Sequence, residues 1–486
     1  MDAGLFFLPQ PKQQILRNLA SFPFNKIGNY QPKIRTQIQM LRRKISGEPF
    51  LRPASRLLVC SAAADSPSPS FSGSPDQYLD DAGTRKNQKM VAGTEQDELL
   101  DPVNLADPDS CFCELQGVHI HYKSYDPQTR AKDTPPVIEN SGFSQESPRI
   151  GFPMVLLHGF GASVFSWSRV MKPLAREIGS KVLAFDRPAF GLTSRIGARD
   201  SKPLNPYSIA FSVLATLHFV DFLAAEKAIL VGHSAGSLVA VETYFQAPER
   251  VAALILVAPA IFAPSSAKTG SERDDERKEE EATDSTEAES PFAKFLRTLI
   301  RFGKHIIQAI TAIIRGMTSM VGSLYKKALT AFLRSAIGVM LVRMAIEKFG
   351  VTAVRNAWYD AKQVTEHIIE GYTKPLRAKG WDRALVEFTV AMLTEKKPPL
   401  AKRLKDIKCP VLIVTGDTDR IVPAWNAKRL ARAIHGNVVV EVIKECGHLP
   451  HEERPQQFIS LVSKFLLSAF GEISQLHLHS NHGAVS

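Results

Sequence analysis

Val231-Gly232-His233-Ser234-Ala235-Gly236 is the stretch that decides the fold. The apolar run Ala228-Ile229-Leu230-Val231 leads straight into it, and helical spacing begins near Ser237. A strand that turns at once into a helix holds the corner residue, Ser234, in strained backbone. Only small residues fit around such a corner, which accounts for Gly232 and Gly236. The corner lifts the hydroxyl above the carboxyl ends of the strands, where open α/β sheets hold their ligands. A glycine-rich turn made only for close packing is the plain alternative.

Outward from this corner, short apolar runs alternate with helical spacing. Strands are predicted over 153–157, 181–185, 228–231, 251–257, 411–415 and 438–443. Helices are predicted over 165–177, 206–225, 237–246, 426–434 and 455–470, and 111–125 reads as one or two strands around a turn at Gly117. Continuously apolar strands separated by helices imply an α/β architecture, a parallel sheet covered on both faces. The alternation breaks at a run of ten acids against three bases over 271–290, a solvated loop, and a helical region follows over 291–393.

A serine hydroxyl needs an adjacent base, and the base needs an orienting group. Both should come from loops at the same sheet edge, later in the chain. His448, in Gly447-His448-Leu449-Pro450-His451, follows the strand 438–443 and fits the base, with His451 as local competitor. Asp417 and Asp419 both follow the strand 411–415. Asp419 is preferred because its position reaches back toward the histidine, whereas Asp417 suits the turn itself. The strand 251–257 ends in Ala258-Pro259-Ala260, with no acid. Oxyanion donors are expected from the backbone N–H groups of Ala235 and of Phe160, in the loop His158-Gly159-Phe160-Gly161.

These blocks, with Phe185-Asp186-Arg187-Pro188-Ala189-Phe190-Gly191, resemble the α/β-hydrolase superfamily in its esterase and lipase-like branch. The resemblance covers roughly 110–262 and 405–470. It implies a mostly parallel eight-stranded sheet with a helical cap inserted after the sixth strand, and the triad Ser234, Asp419 and His448. A serine at the corner is unlike the epoxide hydrolase and dehalogenase branches, which carry aspartate there. One departure is visible: Pro188-Ala189 stands where many relatives have Arg-Gly, in a loop bordering the pocket. Thioesterases and carbon–carbon bond hydrolases share the triad, and a ligand receptor on the same scaffold is the reading from another class.

The chain has 486 residues and a net charge of +11. Residues 1–60 hold ten Lys/Arg and two acids, so most of the excess is N-terminal and does not argue for a nucleic-acid partner. This basic, acid-poor segment lacks a continuous apolar core. It reads as a transit peptide over 1–63, for a plastid, with a mitochondrion as the alternative. A plastid address makes the chain similar to plant chloroplast hydrolases of lipid and prenyl-type esters. The expected organisation is then a disordered linker over 64–105, hydrolase core over 106–262 and 405–470, acidic loop and cap over 263–404, and a disordered tail over 471–486. Five scattered cysteines give no disulfide framework. No metal cluster, phosphate loop or dinucleotide fingerprint appears, so no cofactor is implied, and no run of eighteen apolar residues predicts a membrane span. Residues 291–314 place Phe295, Leu299, Phe302 and Ile306 on one helical face and Lys294, Arg297, Arg301 and Lys304 on another. Such a basic amphipathic helix suits peripheral membrane contact or a soluble cap.

Overall fold

The computed structural model describes residues 90–127, 150–196, 204–262, 323–395 and 400–481. The expected transit peptide, the acidic run 271–290 and the amphipathic segment 291–314 lie outside the described residues.

A two-residue hairpin, β1 (Met90–Val91) and β2 (Thr94–Glu95), precedes the main sheet. The sheet is built from β3 (Cys111–Leu115), β4 (Val118–Tyr125), β5 (Met154–Leu157), β6 (Val182–Phe185), β7 (Ala228–His233), β8 (Val251–Val257), β9 (Val411–Gly416) and β10 (Val438–Ile443). Its spatial order is β10-β9-β8-β7-β5-β6-β4-β3. The β3–β4 and β4–β6 pairs are antiparallel and all others parallel. The helices are α1 (Ser168–Ile178), α2 (Ile209–Phe222), α3 (Ala235–Gln246), α4 (Ser323–Arg334), α5 (Ala336–Ala357), α6 (Glu366–Thr373), α7 (Trp381–Thr394), α8 (Ala424–Ala433), α9 (Pro450–Glu453) and α10 (Pro455–Asn481). Helices α4 to α7 form the cap, inserted after the sixth strand of the sheet.

Strand periodicity splits the core into two layers. Val155, Leu157, Leu183, Phe185, Leu230, Leu254 and Ile413 pack on one face under α2, α3 and α8. Their chain neighbours Met154, Leu156, Val182, Ala184, Val231, Ile255 and Leu412 pack on the other, under α1 and α10. Side chains alternate across a strand, so burial on both faces requires an unbroken apolar run.

Three expectations need correction. Part of the expected linker is folded: Val91 and Ala92 are buried against Trp381 of α7, and the Gln96 side-chain oxygen Oε1 accepts from the Trp381 indole N–H at 2.9 Å. Its apolar residues gain a partner only when the cap is in place. The closing helix runs to Asn481 rather than ending near 470, because nothing from 471 to 481 breaks it except Gly471, a tolerated interior residue. Helix α2 starts at Ile209, later than expected, because the Ser208 hydroxyl caps it by accepting from Phe211 N–H.

Among the described residues no single helix is long and apolar enough to cross a membrane. The pair α4 and α5, bent by 72°, meets that length and composition only when joined.

Candidate active site

The corner predicted at Ser234 joins β7 to α3 directly. Ser234 sits at φ 49°, ψ −116°, a conformation that costs an L-residue on the order of 1–3 kcal/mol. It persists because both backbone groups are held: Ser234 N–H donates to Val257 O at 2.8 Å and Ser234 O accepts from Ala260 N–H at 3.2 Å. The flanking glycines leave no room for a side chain. A Cβ on Gly232 would lie 2.6 Å from Ser237 Cα, and one on Gly236 would lie 2.2 Å from Leu157 O.

The loops after β9 and β10 bring Asp419 and His448 together. Asp419 Oδ2 lies 2.8 Å from His448 Nδ1, and both residues are buried. The other oxygen, Oδ1, accepts from the N–H groups of Ile421 and Val422 at 2.8 Å each, which orients the carboxylate. With Nδ1–H turned to Asp419, Nε2 is the free basic nitrogen. The leg from His448 Nε2 to Ser234 Oγ is not closed as a hydrogen bond in this conformation, which is common before substrate binds. Asp417 is exposed and caps its own turn, accepting from Thr418 and from Cys446 N–H. His451 is buried with its ring 4.3 Å from that of Trp167, and neither ring nitrogen makes a hydrogen bond among the described residues. Burial pushes its imidazole down to about 3. Of the four competing residues, the structure therefore pairs Asp419 with His448.

Sequence reading missed Glu453. Its carboxylate accepts from the N–H groups of Gly447 at 2.9 Å, Leu449 at 3.2 Å and Tyr359 at 2.8 Å. His448 N–H itself donates to Ala357 O, at the end of α5, at 2.7 Å. One acid thus clamps the histidine loop and ties it to the cap. The block His451-Glu452-Glu453 is visible, but the convergence of Tyr359 N–H, 94 residues away, with the nearby Gly447 and Leu449 N–H groups is not a sequence signal. We expect Glu453→Ala to lose about 1–3 kcal/mol of stability, since up to three donors lose their acceptor, and to lower turnover. Thermal unfolding and kcat measured on the same preparations check this.

The loop after β5 supplies the other wall. The ring of His158 is wholly buried: Nδ1 lies 2.8 Å from Gly159 O, and Nε2 accepts from Arg187 N–H at 3.0 Å. Burial first, then the Arg187 charge, brings His158 down to about 4, so the ring is neutral and acts as a strut. Gly159 packs against the corner: a Cβ there would lie 2.8 Å from His233 Nδ1 and 3.2 Å from Ser234 Cβ. The Ala235 amide opens α3, so it has no acceptor within the helix. The Phe160 amide has no hydrogen-bond partner among the described residues. The Phe160 ring is 57% exposed and touches Phe190 and Phe388 at 5.5 and 6.0 Å between centroids.

Asp186 holds the next loop. Its carboxylate accepts from Val164 N–H at 2.7 Å and Leu192 N–H at 2.6 Å and meets His121 Nδ1 at 2.7 Å. Burial alone would raise this carboxyl, but the His121 imidazole and the N–H donors outweigh it and bring it down to about 2. A lowered folded value contributes stability that is complete above the unfolded value, about 3.9, and is lost as pH falls toward 2. Acid unfolding should therefore begin at higher pH in Asp186→Asn, which should also lose roughly 2–4 kcal/mol at neutral pH. The departure at Pro188-Ala189 has a backbone consequence. Phe190 N–H donates to Arg187 O at 3.0 Å, closing a turn with Ala189 at φ 81°, where glycine is the favoured residue.

A cavity of about 1060 Å³ lies elsewhere, between Arg195, Tyr207, Arg334, Met340 and Arg383, and its lining includes none of Ser234, Asp419 or His448. The chemistry described above belongs to the sheet edge, not to that cavity.

Residues 154–461 match the alpha/beta hydrolase family. The chain is 25% identical over 316 residues to an uncharacterized hydrolase, YugF, of Bacillus subtilis (strain 168), a similarity covering 64% of this chain and 89% of that protein. It is 22% identical over 323 residues to a 2-hydroxy-6-oxo-6-phenylhexa-2,4-dienoate hydrolase of Comamonas testosteroni, covering 65% and 88%. Among solved structures, Cfl2 from Burkholderia cenocepacia aligns at 19% identity with a TM-score of 0.46, over 74% of this chain and 95% of that one. The family match runs from β5 through the cap and β10 into α10, the span that holds the corner, both loops and the strut. The chain belongs to the alpha/beta hydrolase family.

Proposed function

We propose that this protein is a serine hydrolase that cleaves a carboxylic ester, of lipid or prenyl type, through an acyl-Ser234 intermediate. The observation that carries the reading is the buried His448–Asp419 pair, 2.8 Å apart, at the sheet edge where the strained corner presents Ser234. Ser234 Oγ attacks the ester carbonyl carbon while His448 Nε2 takes its proton, and Asp419 stabilises the resulting imidazolium. The N–H groups of Phe160 and Ala235 donate to the developing oxyanion. Collapse breaks the bond to the alkoxy oxygen, which leaves as the alcohol with the proton from His448. Water then repeats the sequence on the acyl-enzyme and releases the acid.

The rings of Phe160, Phe190 and Phe388 beside the oxyanion loop support an apolar group next to the carbonyl. Exposed Phe332, Ile337, Met340 and Met344 on α4 and α5 support peripheral contact with a lipid surface, which we assign to 291–314 and its neighbours. The basic segment 1–63 supports a plastid location. Carbon–carbon bond hydrolysis is the second reading, favoured by the similarity to the Comamonas testosteroni dienoate hydrolase.

The test is intact-protein mass spectrometry during turnover of p-nitrophenyl esters. The expected result is a burst of nitrophenol and an acyl adduct on the peptide carrying Ser234. Steady hydrolysis with no adduct at any quench time would overturn the acyl-enzyme route.

A further inference from the structure

Arg187 is a buried cation whose Nε and Nη2 atoms have no hydrogen-bond partner among the described residues. It is 2% exposed, and among the described residues no carboxylate pairs with it. The adjacent Asp186 makes no hydrogen bond to it; its oxygens accept from Val164 and Leu192 N–H and meet His121. The guanidinium lies instead against two rings, 5.5 Å from the centroid of Phe190 and 5.8 Å from that of Phe388. Ring faces attract a cation but accept no N–H bonds in its plane. Burial lowers this group only to about 10, so it keeps its charge at neutral pH. An unpaired buried cation is expensive, by several kcal/mol, and among the described residues none supplies its counter-charge.

Its place in the site is specific. Arg187 N–H is bound to His158, the strut of the oxyanion loop, and Phe190 and Phe388 both meet the Phe160 ring. The unsatisfied atoms Nε and Nη2 are the side edge of the guanidinium, the pair that binds both oxygens of a carboxylate at once.

We propose that Arg187 is a substrate-recognition residue, and that the ester cleaved at Ser234 carries a free carboxylate that seats on the Nε/Nη2 edge between the oxyanion loop and α7. This rests on the ester-hydrolase reading. The substrate is then amphiphilic, with its apolar part against the three phenylalanines and its anion beneath them. Phe160, the exposed ring of the three, is the side by which the anion enters.

The test compares two p-nitrophenyl esters of similar size, the half-ester of glutaric acid and its methyl-capped neutral form, on the full chain. Wild type should favour the anionic ester in kcat/KM by roughly tenfold to hundredfold, the worth of a charged hydrogen-bonded pair. In Arg187→Met that ratio should collapse toward one, mainly through KM, and Arg187→Lys should keep part of it as a point charge without the fork. If Arg187→Met does not fold, free glutarate should inhibit wild-type hydrolysis of the neutral ester competitively, and the neutral diamide should not. Equal kcat/KM on the two esters in wild type, or an undiminished ratio in Arg187→Met, overturns the carboxylate subsite alone. A wild type inert to both esters, with no acyl adduct, overturns the ester-hydrolase reading and this one with it.

Discussion

Ser234→Ala should lose hydrolysis by about 10⁴- to 10⁶-fold, with labelling by a fluorophosphonate probe abolished. The size follows from the role assigned to the hydroxyl, since no other nucleophile stands at the corner once it is gone. On the proposed mechanism His448 and the N–H groups of Phe160 and Ala235 survive the change, so a residual rate above that of water is expected. The fold should hardly move. Alanine keeps the Cβ and the same strained φ of 49°, and the bonds that hold the corner use only its backbone. A melting temperature within a few degrees of wild type, beside a lost activity, separates chemistry from folding. A variant that retains activity would remove Ser234 from the reaction and bring the receptor reading forward.

Asp419→Asn should lower kcat by about 10³- to 10⁴-fold, while Asp417→Asn changes it less than about threefold. The two aspartates are two residues apart and chemically identical, so only their surroundings separate them. Asp419 is buried and accepts from two N–H groups through one oxygen, leaving the other for His448 Nδ1. An amide in its place can turn its NH₂ group toward that nitrogen, holding the proton on Nε2 and removing the base. Asp417 faces solvent and serves its own turn. Steady-state kinetics on both variants decide the matter, and the reverse order of effects would reassign the acid.

The departure at Ala189 now has a measurable side. Glycine there would relieve a left-handed alanine, worth about 1–2 kcal/mol before the entropy of the freer unfolded chain is counted. It would also loosen the turn that carries Arg187 and Phe190.

Local pattern determined much of this protein. A short continuous apolar run in alternation with helical spacing, such as 251–257, reads as a strand buried on both faces, and that span is observed unchanged as β8. Gly232 records a steric demand within six residues, since a Cβ there would meet Ser237, so that side of the corner is legible in local sequence. The preference for Asp419 over Asp417 rested on reach along one loop. Tertiary structure alone decided the rest, because each case joins groups far apart in the chain. Asp419 meets His448 across 29 residues, Glu453 meets Tyr359 across 94, and Gln96 meets Trp381 across 285. Arg187 is the clearest instance. Nothing in the order Asp186-Arg187 says how the two side chains are used, and only the packed fold shows that Asp186 binds Val164, Leu192 and His121 while the cation lies against two rings. Burial and hydrogen-bond occupancy are sums over every neighbouring element, which no local pattern carries.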